Sequence, residues 1–315
     1  MFRFAILGAG KIAAQFVKAA RAEGCEVCAV ASKSLEKAQN FARDNAVEGA
    51  YGSYREMLHI EKPDCAYIAT VPSSHYELSM LCMEMGVPVL CEKAMFRNSE
   101  EAISAFALSK EKGLFMMEAL WSKFLPANRC AKAWIDAGRI GKPVLCDSAI
   151  GFCAPKDPQN RYFNPDLGGG AALDITVYAY EIAAFLLGQE LTLDALSVVR
   201  GETGTDDTEV LLMRAGDCLA TIRASFVTPF RDMLTVQGDR GRIEIPFPHF
   251  AKEALLYDAG GRLIEHFIDN ETAMGFQYEI AETRRCVEAG LYESPIQPHS
   301  ATIACAKLFD RISEA

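Results

Sequence analysis

The sequence predicts an α/β chain in two parts: a doubly wound parallel sheet, then an α+β domain built on a largely antiparallel sheet. Three observations carry this. A short apolar run, Phe2–Leu7, leads into the turn Gly8-Ala9-Gly10-Lys11-Ile12-Ala13 and then a breaker-free stretch of helix formers. Through residue 120, near-continuous apolar runs alternate with helical stretches, the pattern of a parallel sheet covered on both faces. From Val144 onward, short strand-like runs separated by glycine-containing breaks dominate. The expected domains are residues 1–120 and 121–315.

In the first domain, strands are expected at Phe2–Leu7, Glu26–Ala31, Cys65–Thr70, Val87–Cys91 and Leu114–Met117. Helices are expected at Lys11–Ala22, Leu35–Asp44, Tyr54–His59, Tyr76–Met85 and Ser99–Lys112. A helix at Asn128–Ala137 opens the second domain. Its strands are expected at Val144–Phe152, Leu193–Arg200, Glu209–Arg214, Leu219–Phe226, Met233–Gln237, Arg242–Ile245, Ala254–Tyr257 and Leu263–Ile268. Hairpin turns are expected at Ala215–Asp217, Gly238–Gly241 and Asp258–Gly261, and helices at Ala273–Glu288 and Ala301–Ser313.

Strand, glycine turn and helix together form the context in which a G-x-G-x-x-A match reads as a Rossmann dinucleotide fingerprint. Gly8 makes the tight turn, Gly10 admits a pyrophosphate close to the backbone beside Lys11 and Ile12, and Ala13 lets helix and strand pack closely. The pyrophosphate would rest on unpaired N–H groups at the positive end of the helix dipole. The plain alternative is a glycine-rich βα turn without a ligand. Where an acid usually binds the ribose 2′-hydroxyl, this chain has Ser32 and Lys33. A hydroxyl and an ammonium suit a 2′-phosphate, which favours NADP(H) over NAD(H). Alternatively, Ser32 caps the helix near Leu35 and Lys33 is merely solvated. Thr70, Pro72 and His75 follow one strand, with His75 either at the ribose or nicotinamide or structural at a helix start. Glu92 and Lys93 end the next strand, where the nicotinamide ring is expected.

The composition is that of an ordinary globular enzyme, 50% hydrophobic and 23% charged over 315 residues. A net charge of −10 argues against nucleic acid or an anionic membrane surface as partner. The 11 cysteines lack the spacing of a disulfide framework or metal site, and Cys25 and Cys28 form an isolated C-x-x-C. No metal is expected. The apolar stretch Ala171–Gly188 carries Asp174 and Glu181 and reads as a buried helix. No signal peptide precedes the first strand, so a cytoplasmic location is expected.

Gly168-Gly169-Gly170 precedes Asp174 and Tyr178, spaced i and i+4 on one face of an expected helix. The triplet provides close backbone approach or hinge freedom. Asp174 reads as buried and so needs a partner or a task. This stretch alone is equally a structural cap with a core aromatic. Val210-Leu211-Leu212-Met213 is apolar on both faces, and a partner subunit is the simplest cover, so a homodimer through this sheet is expected.

Several runs resemble one family: Cys91-Glu92-Lys93, Leu114 through Trp121, Phe124-Leu125-Pro126-Ala127, Arg161-Tyr162-Phe163 leading to Gly168–Tyr178, Gly238 through Ile243, and Tyr278-Glu279. The whole chain resembles the Gfo/Idh/MocA oxidoreductases, and within them the branch of dimeric dihydrodiol and NADP-dependent D-xylose dehydrogenases. The resemblance implies that Lys93 lies beside the nicotinamide and assists proton transfer. It also implies that Asp174 is the helix-borne acid, that Tyr178 is the proton-transfer residue, and that Trp121 and Phe152 help wall the substrate pocket. A tyrosine with a pKa of about 10 is a poor base near neutrality, and a neighbouring ammonium favours its phenolate. Asp174 would orient the lysine or a substrate hydroxyl.

One departure is Ala94, which stands where the family has proline. Either the Lys93–Ala94 bond is trans and Lys93 points elsewhere, or a cis geometry is kept for function. The activity implied is hydride transfer between NADP(H) and a sugar, cyclitol or vicinal diol. Alternatives are an NAD-dependent inositol or anhydro-sugar oxidoreductase, or a non-catalytic dinucleotide sensor.

Overall fold

The computed structural model describes Met1–Ala315. The chain divides into two compact units, Met1–Leu120 with Phe276–Ile303, and Trp121–Gly275 with Ala304–Ala315. Residues 276–303, expected within the domain 121–315, group with the first unit.

The first unit runs β1 (Arg3–Leu7), α1 (Lys11–Ala22), β2 (Glu26–Ala31), α2 (Leu35–Asp44), β3 (Gly49–Tyr51), α3 (Tyr54–Glu61), β4 (Cys65–Ile68), α4 (His75–Glu84), β5 (Val89–Glu92), α5 (Ser99–Lys112) and β6 (Met116–Ala119). Its strands are all parallel, in the order β3-β2-β1-β4-β5-β6. This is the doubly wound order whose reversal, between β1 and β4, opens a ligand crevice at the strands' carboxyl ends. Two details depart from the sequence expectation. Strand β3 is a three-residue edge of half-buried residues, too short for a periodic signal. Strand β6 starts at Met116 rather than Leu114, because Gly113 turns at φ 62° and the Leu114 N–H closes α5 onto Ser109 O. That shift brings Glu118 into the sheet, paired with Cys91 and only 2% exposed.

The second unit contains α6 (Pro126–Asp136), β7 (Pro143–Gly151), a π-helical turn (Ala172–Thr176) running straight into α7 (Val177–Leu187), and strands β8 (Thr192–Arg200), β9 (Asp206–Ala215), β10 (Cys218–Ser225), β11 (Met233–Gly238), β12 (Gly241–Pro246), β13 (Glu253–Asp258) and β14 (Leu263–Ile268). The eight strands order as β14-β13-β12-β11-β7-β10-β9-β8; only β7 and β10 pair in parallel. The three expected hairpins join β9 to β10, β11 to β12 and β13 to β14. Helix α8 (Phe276–Glu288) belongs to the first unit, and α9 (His299–Glu314) begins there.

Helices α6 and α7 cover one face of this sheet. Along β9, Leu211 and Met213 point into that core, while Val210 and Leu212 are 47% and 42% exposed. Strand register puts Leu219 and Leu145 on the same open face, among the ion pairs Arg223–Asp147 and Arg214–Asp194. All eleven cysteines are free thiols, and all but Cys130 and Cys153 are buried. The helical run Pro165–Leu187 is long and apolar enough to cross a membrane by length and composition, yet 72% of its apolar window is buried inside the protein.

Candidate active site

The site residues fall on both units. On the first, Gly8 turns at φ 111°, and a Cβ there would meet Ala69 O at 2.7 Å and Thr70 Cγ2 at 2.9 Å. Only glycine brings the end of β1 this close to the end of β4. Gly10 is the N-cap of α1, and no side chain caps that helix, whereas Ser34, Ser53 and Asn98 cap α2, α3 and α5. The leading N–H groups of α1 therefore have no capping side chain, at the crevice where a pyrophosphate would sit. Ala13 is fully buried against the sheet, Lys11 is exposed and Ile12 half-buried. These residues fit a dinucleotide.

At the end of β2, Lys33 is exposed and Ser32 buried. The cap of α2 is Ser34, whose Oγ accepts from the Lys37 N–H at 3.3 Å, so Ser32 does not fill that role. Thr70 and Pro72 follow β4 half-buried, and the Ser74 hydroxyl donates to Thr70 Oγ1 at 2.9 Å.

Two residues expected near the cofactor, His75 and Glu92, make buried hydrogen bonds within the first unit. His75 is fully buried, with Nδ1 at 2.9 Å from Ala94 O and Nε2 at 3.2 Å from Thr70 O. Burial pushes its pKa down to about 4, so the ring is neutral at pH 7, and we assign its one N–H to the shorter bond. Both ring nitrogens face backbone carbonyls, of Ala94 and Thr70. Glu92 also points inward and accepts from the Tyr67 hydroxyl; Tyr67 in turn stacks on Phe16 at 3.7 Å. Burial, and then the Glu92 charge, push the fully buried Glu279 carboxyl of α8 well above its ordinary range.

Lys93, half-buried, comes next, and the Lys93–Ala94 peptide is cis; of the two alternatives, the trans one falls. The segment is gripped from both sides. His75 takes the Ala94 carbonyl, and Glu118 Oε1 accepts from the Met95 N–H at 2.9 Å. Glu118 Oε2 accepts in turn from Thr302 Oγ1 at 2.9 Å and Gln297 Nε2 at 3.3 Å. Nothing in the sequence marks this role for Glu118, because the apolar run Leu114–Met117 that predicts the strand ends before it.

On the second unit, Trp121 and Tyr178 stack with centroids 6.4 Å apart, and Tyr178 packs on His249 at 5.8 Å. The indole N–H of Trp121 donates to His249 O at 2.9 Å. Asn128 Nδ2 donates to both Ser122 O and Pro248 O at 2.8 Å, tying the segments that carry Trp121 and His249. A buried ion pair, Lys123 with Glu181, ties the Trp121 segment to α7. His249 was not expected. It stands alone between Pro248 and Phe250, far along the chain from Tyr178, and only the fold brings them together.

Asp174 differs from its expectation. The turn that bears it is π-helical, so Asp174 and Tyr178 are not the i and i+4 positions of a regular α-helix. Its side chain is 14% exposed and pairs with Arg161 at 3.1 Å. The Arg161 guanidinium lies 4.3 Å over the Tyr162 ring, and Tyr162 packs against Phe152 and Phe226. Phe152 thus stands in a ring cluster separate from Trp121 and Tyr178. The glycine triplet serves close approach: a Cβ on Gly169 would lie 2.8 Å from Asn164 N and O, and Gly168 turns at φ 79°. The Gly170 N–H donates to Tyr162 O at 2.9 Å, which pins the Arg161 loop to the start of the helix.

Comparison with known proteins matches this architecture. Residues 2–120 match the model described as oxidoreductase family, NAD-binding Rossmann fold, and residues 128–244 match the GFO/IDH/MocA C-terminal domain. Trans-1,2-dihydrobenzene-1,2-diol dehydrogenase of Danio rerio is 30% identical over 98% of this chain and 95% of its own; the Homo sapiens protein of that name is 28% identical over 92% and 88%. Two solved structures share the fold. The 3-ketoreductase KijD10 of Actinomadura kijaniata, in complex with NADP and TDP-benzene, has a TM-score of 0.88 at 22% identity over 99% and 96% of the two chains. The aldose-aldose oxidoreductase of Caulobacter crescentus, complexed with glycerol, has 0.89 at 20% over 100% and 97%. Sequence, fold and near full-length relatives agree, and the chain belongs to the GFO/IDH/MocA oxidoreductase family.

Proposed function

We propose that this oxidoreductase transfers hydride between NADP(H) and a hydroxyl-bearing carbon of a sugar, cyclitol or vicinal diol. The observation that carries the reading is the placement of Tyr178: its ring is 6% exposed, held between Trp121 and His249, in a chain whose other unit has an uncapped, glycine-cornered helix start. The names of the diol dehydrogenases and sugar-active neighbours support the substrate class. Ser32 and Lys33, with no acid at the end of β2, support NADP. A levoglucosan dehydrogenase of the same fold binds NADH, so fold alone does not choose the cofactor.

Gly8, Gly10 and the first turn of α1 would hold the pyrophosphate, with Ser32 and Lys33 toward the 2′-phosphate. The bound dinucleotide supplies the redox chemistry. Tyr178 moves the substrate hydroxyl proton. Free tyrosine has a pKa of about 10, so the transfer needs a cation that favours the phenolate, and Lys93 is assigned this part. Asp174, oriented by Arg161, is assigned to a substrate hydroxyl, with Trp121 as a pocket wall.

The open sheet face bearing Leu145, Val210, Leu212 and Leu219 supports a homodimer through that sheet. Eleven thiols without a disulfide suit a reducing compartment such as the cytoplasm. The test is absorbance at 340 nm with NADP+ and a panel of aldoses and diols, comparing the wild type with Tyr178→Phe and Lys93→Met.

A further inference from the structure

The π-turn is held at both ends from a single strand. Asp206 Oδ2, on β9, accepts from the backbone N–H of Ala172, the first residue of the turn, at 2.6 Å. Glu209 Oε2, on the same strand, accepts from Oγ1 of Thr176, the last residue, also at 2.6 Å. Both carboxyl side chains are buried, with Asp206 9% and Glu209 1% exposed. Gly170 makes room for this approach: at φ 121°, any Cβ there would run into the Asp206 carboxylate. Between the two grips stands Asp174, and Tyr178 follows directly in α7.

A π-turn replaces regular i to i−4 bonding with wider loops, and such turns occur mostly as single insertions in helices, frequently at functional sites. This one has an external anchor at each end. We propose that Asp206 and Glu209 are positioning residues: by gripping the first and last residues of the π-turn they fix where Asp174 and Tyr178 stand. The proposal rests on the assignment of Tyr178 as the proton-transfer residue.

The chemistry of the pair fits a fixed clamp. Two adjacent buried carboxyls resist ionising together. Burial, and then Asp206, raise the Glu209 carboxyl well above its ordinary range, while the Thr176 hydroxyl and the Arg200 charge act in the opposite direction. Oε2 of Glu209 takes the Thr176 hydroxyl, and its Oε1 is buried with no hydrogen-bond partner. Asp206 remains the acceptor for the Ala172 N–H. A neutral amide at position 209 keeps an oxygen acceptor for the Thr176 hydroxyl, whereas an apolar side chain cannot.

The experiment compares Glu209→Gln, Glu209→Leu and Thr176→Val with the wild type, using NADP+ and the best substrate of the panel. Glu209→Gln is expected to keep kcat within about threefold. Glu209→Leu and Thr176→Val are expected to lower kcat about tenfold to a hundredfold, the scale of a displaced reacting group, with KM for NADP+ unchanged. Hydrogen exchange of the peptide spanning residues 171–187 should quicken in Glu209→Leu and stay at the wild-type rate in Glu209→Gln. If Glu209→Leu fails to fold, Thr176→Val, which removes only a hydroxyl, decides the question. Wild-type kcat and exchange in Thr176→Val or Glu209→Leu would overturn the proposal, as would a Glu209→Gln variant as impaired as Glu209→Leu. A wild-type protein that oxidises nothing in the panel would refute the proposed substrate class, and the exchange comparison would still decide the clamp.

Discussion

Replacing Lys123 with methionine should destabilise the second unit more than any surface change. The Lys123 side chain is 3% exposed and its partner Glu181 is 0% exposed; the lysine bonds Glu181 Oε2, and Oε1 has no hydrogen-bond partner. Removing the ammonium leaves a carboxyl buried in the most apolar helix of the chain. Breaking a buried pair in this way costs about 3–5 kcal/mol. At about 2–4 °C per kcal/mol for a unit of this size, the melting temperature should fall by roughly 6–20 °C. The double variant Lys123→Met/Glu181→Leu replaces both charges with apolar groups and should recover to within about 1 kcal/mol of the wild type. Urea unfolding followed by circular dichroism measures this as a shift in midpoint at constant slope, and the two single variants and the double close the cycle. A single variant costing under about 1 kcal/mol, or a double no better than the single, would refute the reasoning.

Three further predictions follow from the other features. Lys33→Glu places a like charge where the 2′-phosphate is assigned; it should raise KM for NADP+ about tenfold and leave NAD+ largely unaffected, and equal effects on both would count against the assignment. Leu212→Glu, on the open sheet face, should halve the mass seen by light scattering at micromolar concentration; a monomeric wild type would remove the dimer. Glu279 has a folded pKa raised above the 4.5 of an ordinary carboxyl, by burial and then by Glu92. The folded state therefore binds a proton that the unfolded state has released, and stability falls as pH climbs from about 4.5 toward the folded value. Glu279→Gln should remove this loss, so its advantage over the wild type grows with pH; a constant difference between pH 5 and pH 8 would contradict the direction of the shift.

Much of this was legible in the sequence, and the gaps have physical causes. The glycine turn and the hairpins announced themselves because glycine geometry and apolar runs are local. The limits of α1, α2, α5 and β14 matched for the same reason. Strand β3 was invisible because three half-buried residues carry no period. The buried hydrogen bonds of His75, Glu92 and Glu118 were not legible because position at a strand end does not say which way a side chain points. Each turned inward to satisfy buried backbone or a buried hydroxyl. Asp174 and Tyr178 were found as a pair, but their relation is set by a π-turn that Asp206 and Glu209 hold from 30 or so residues downstream, a contact no local spacing contains. His249 is the same case at longer range: the ring beside Tyr178 arrives from beyond β12, and nothing around it in the chain marks it.

The most direct measurement is pre-steady-state and steady-state absorbance at 340 nm with NADP+ and the aldose and diol panel, run on the wild type and Tyr178→Phe, together with NADP+ binding by fluorescence. The account predicts turnover by the wild type, a loss of kcat by about two orders of magnitude or more in Tyr178→Phe, and an unchanged Kd for NADP+. Near-normal turnover by Tyr178→Phe, or NADP+ binding by the wild type with no turnover of any substrate in the panel, would contradict it.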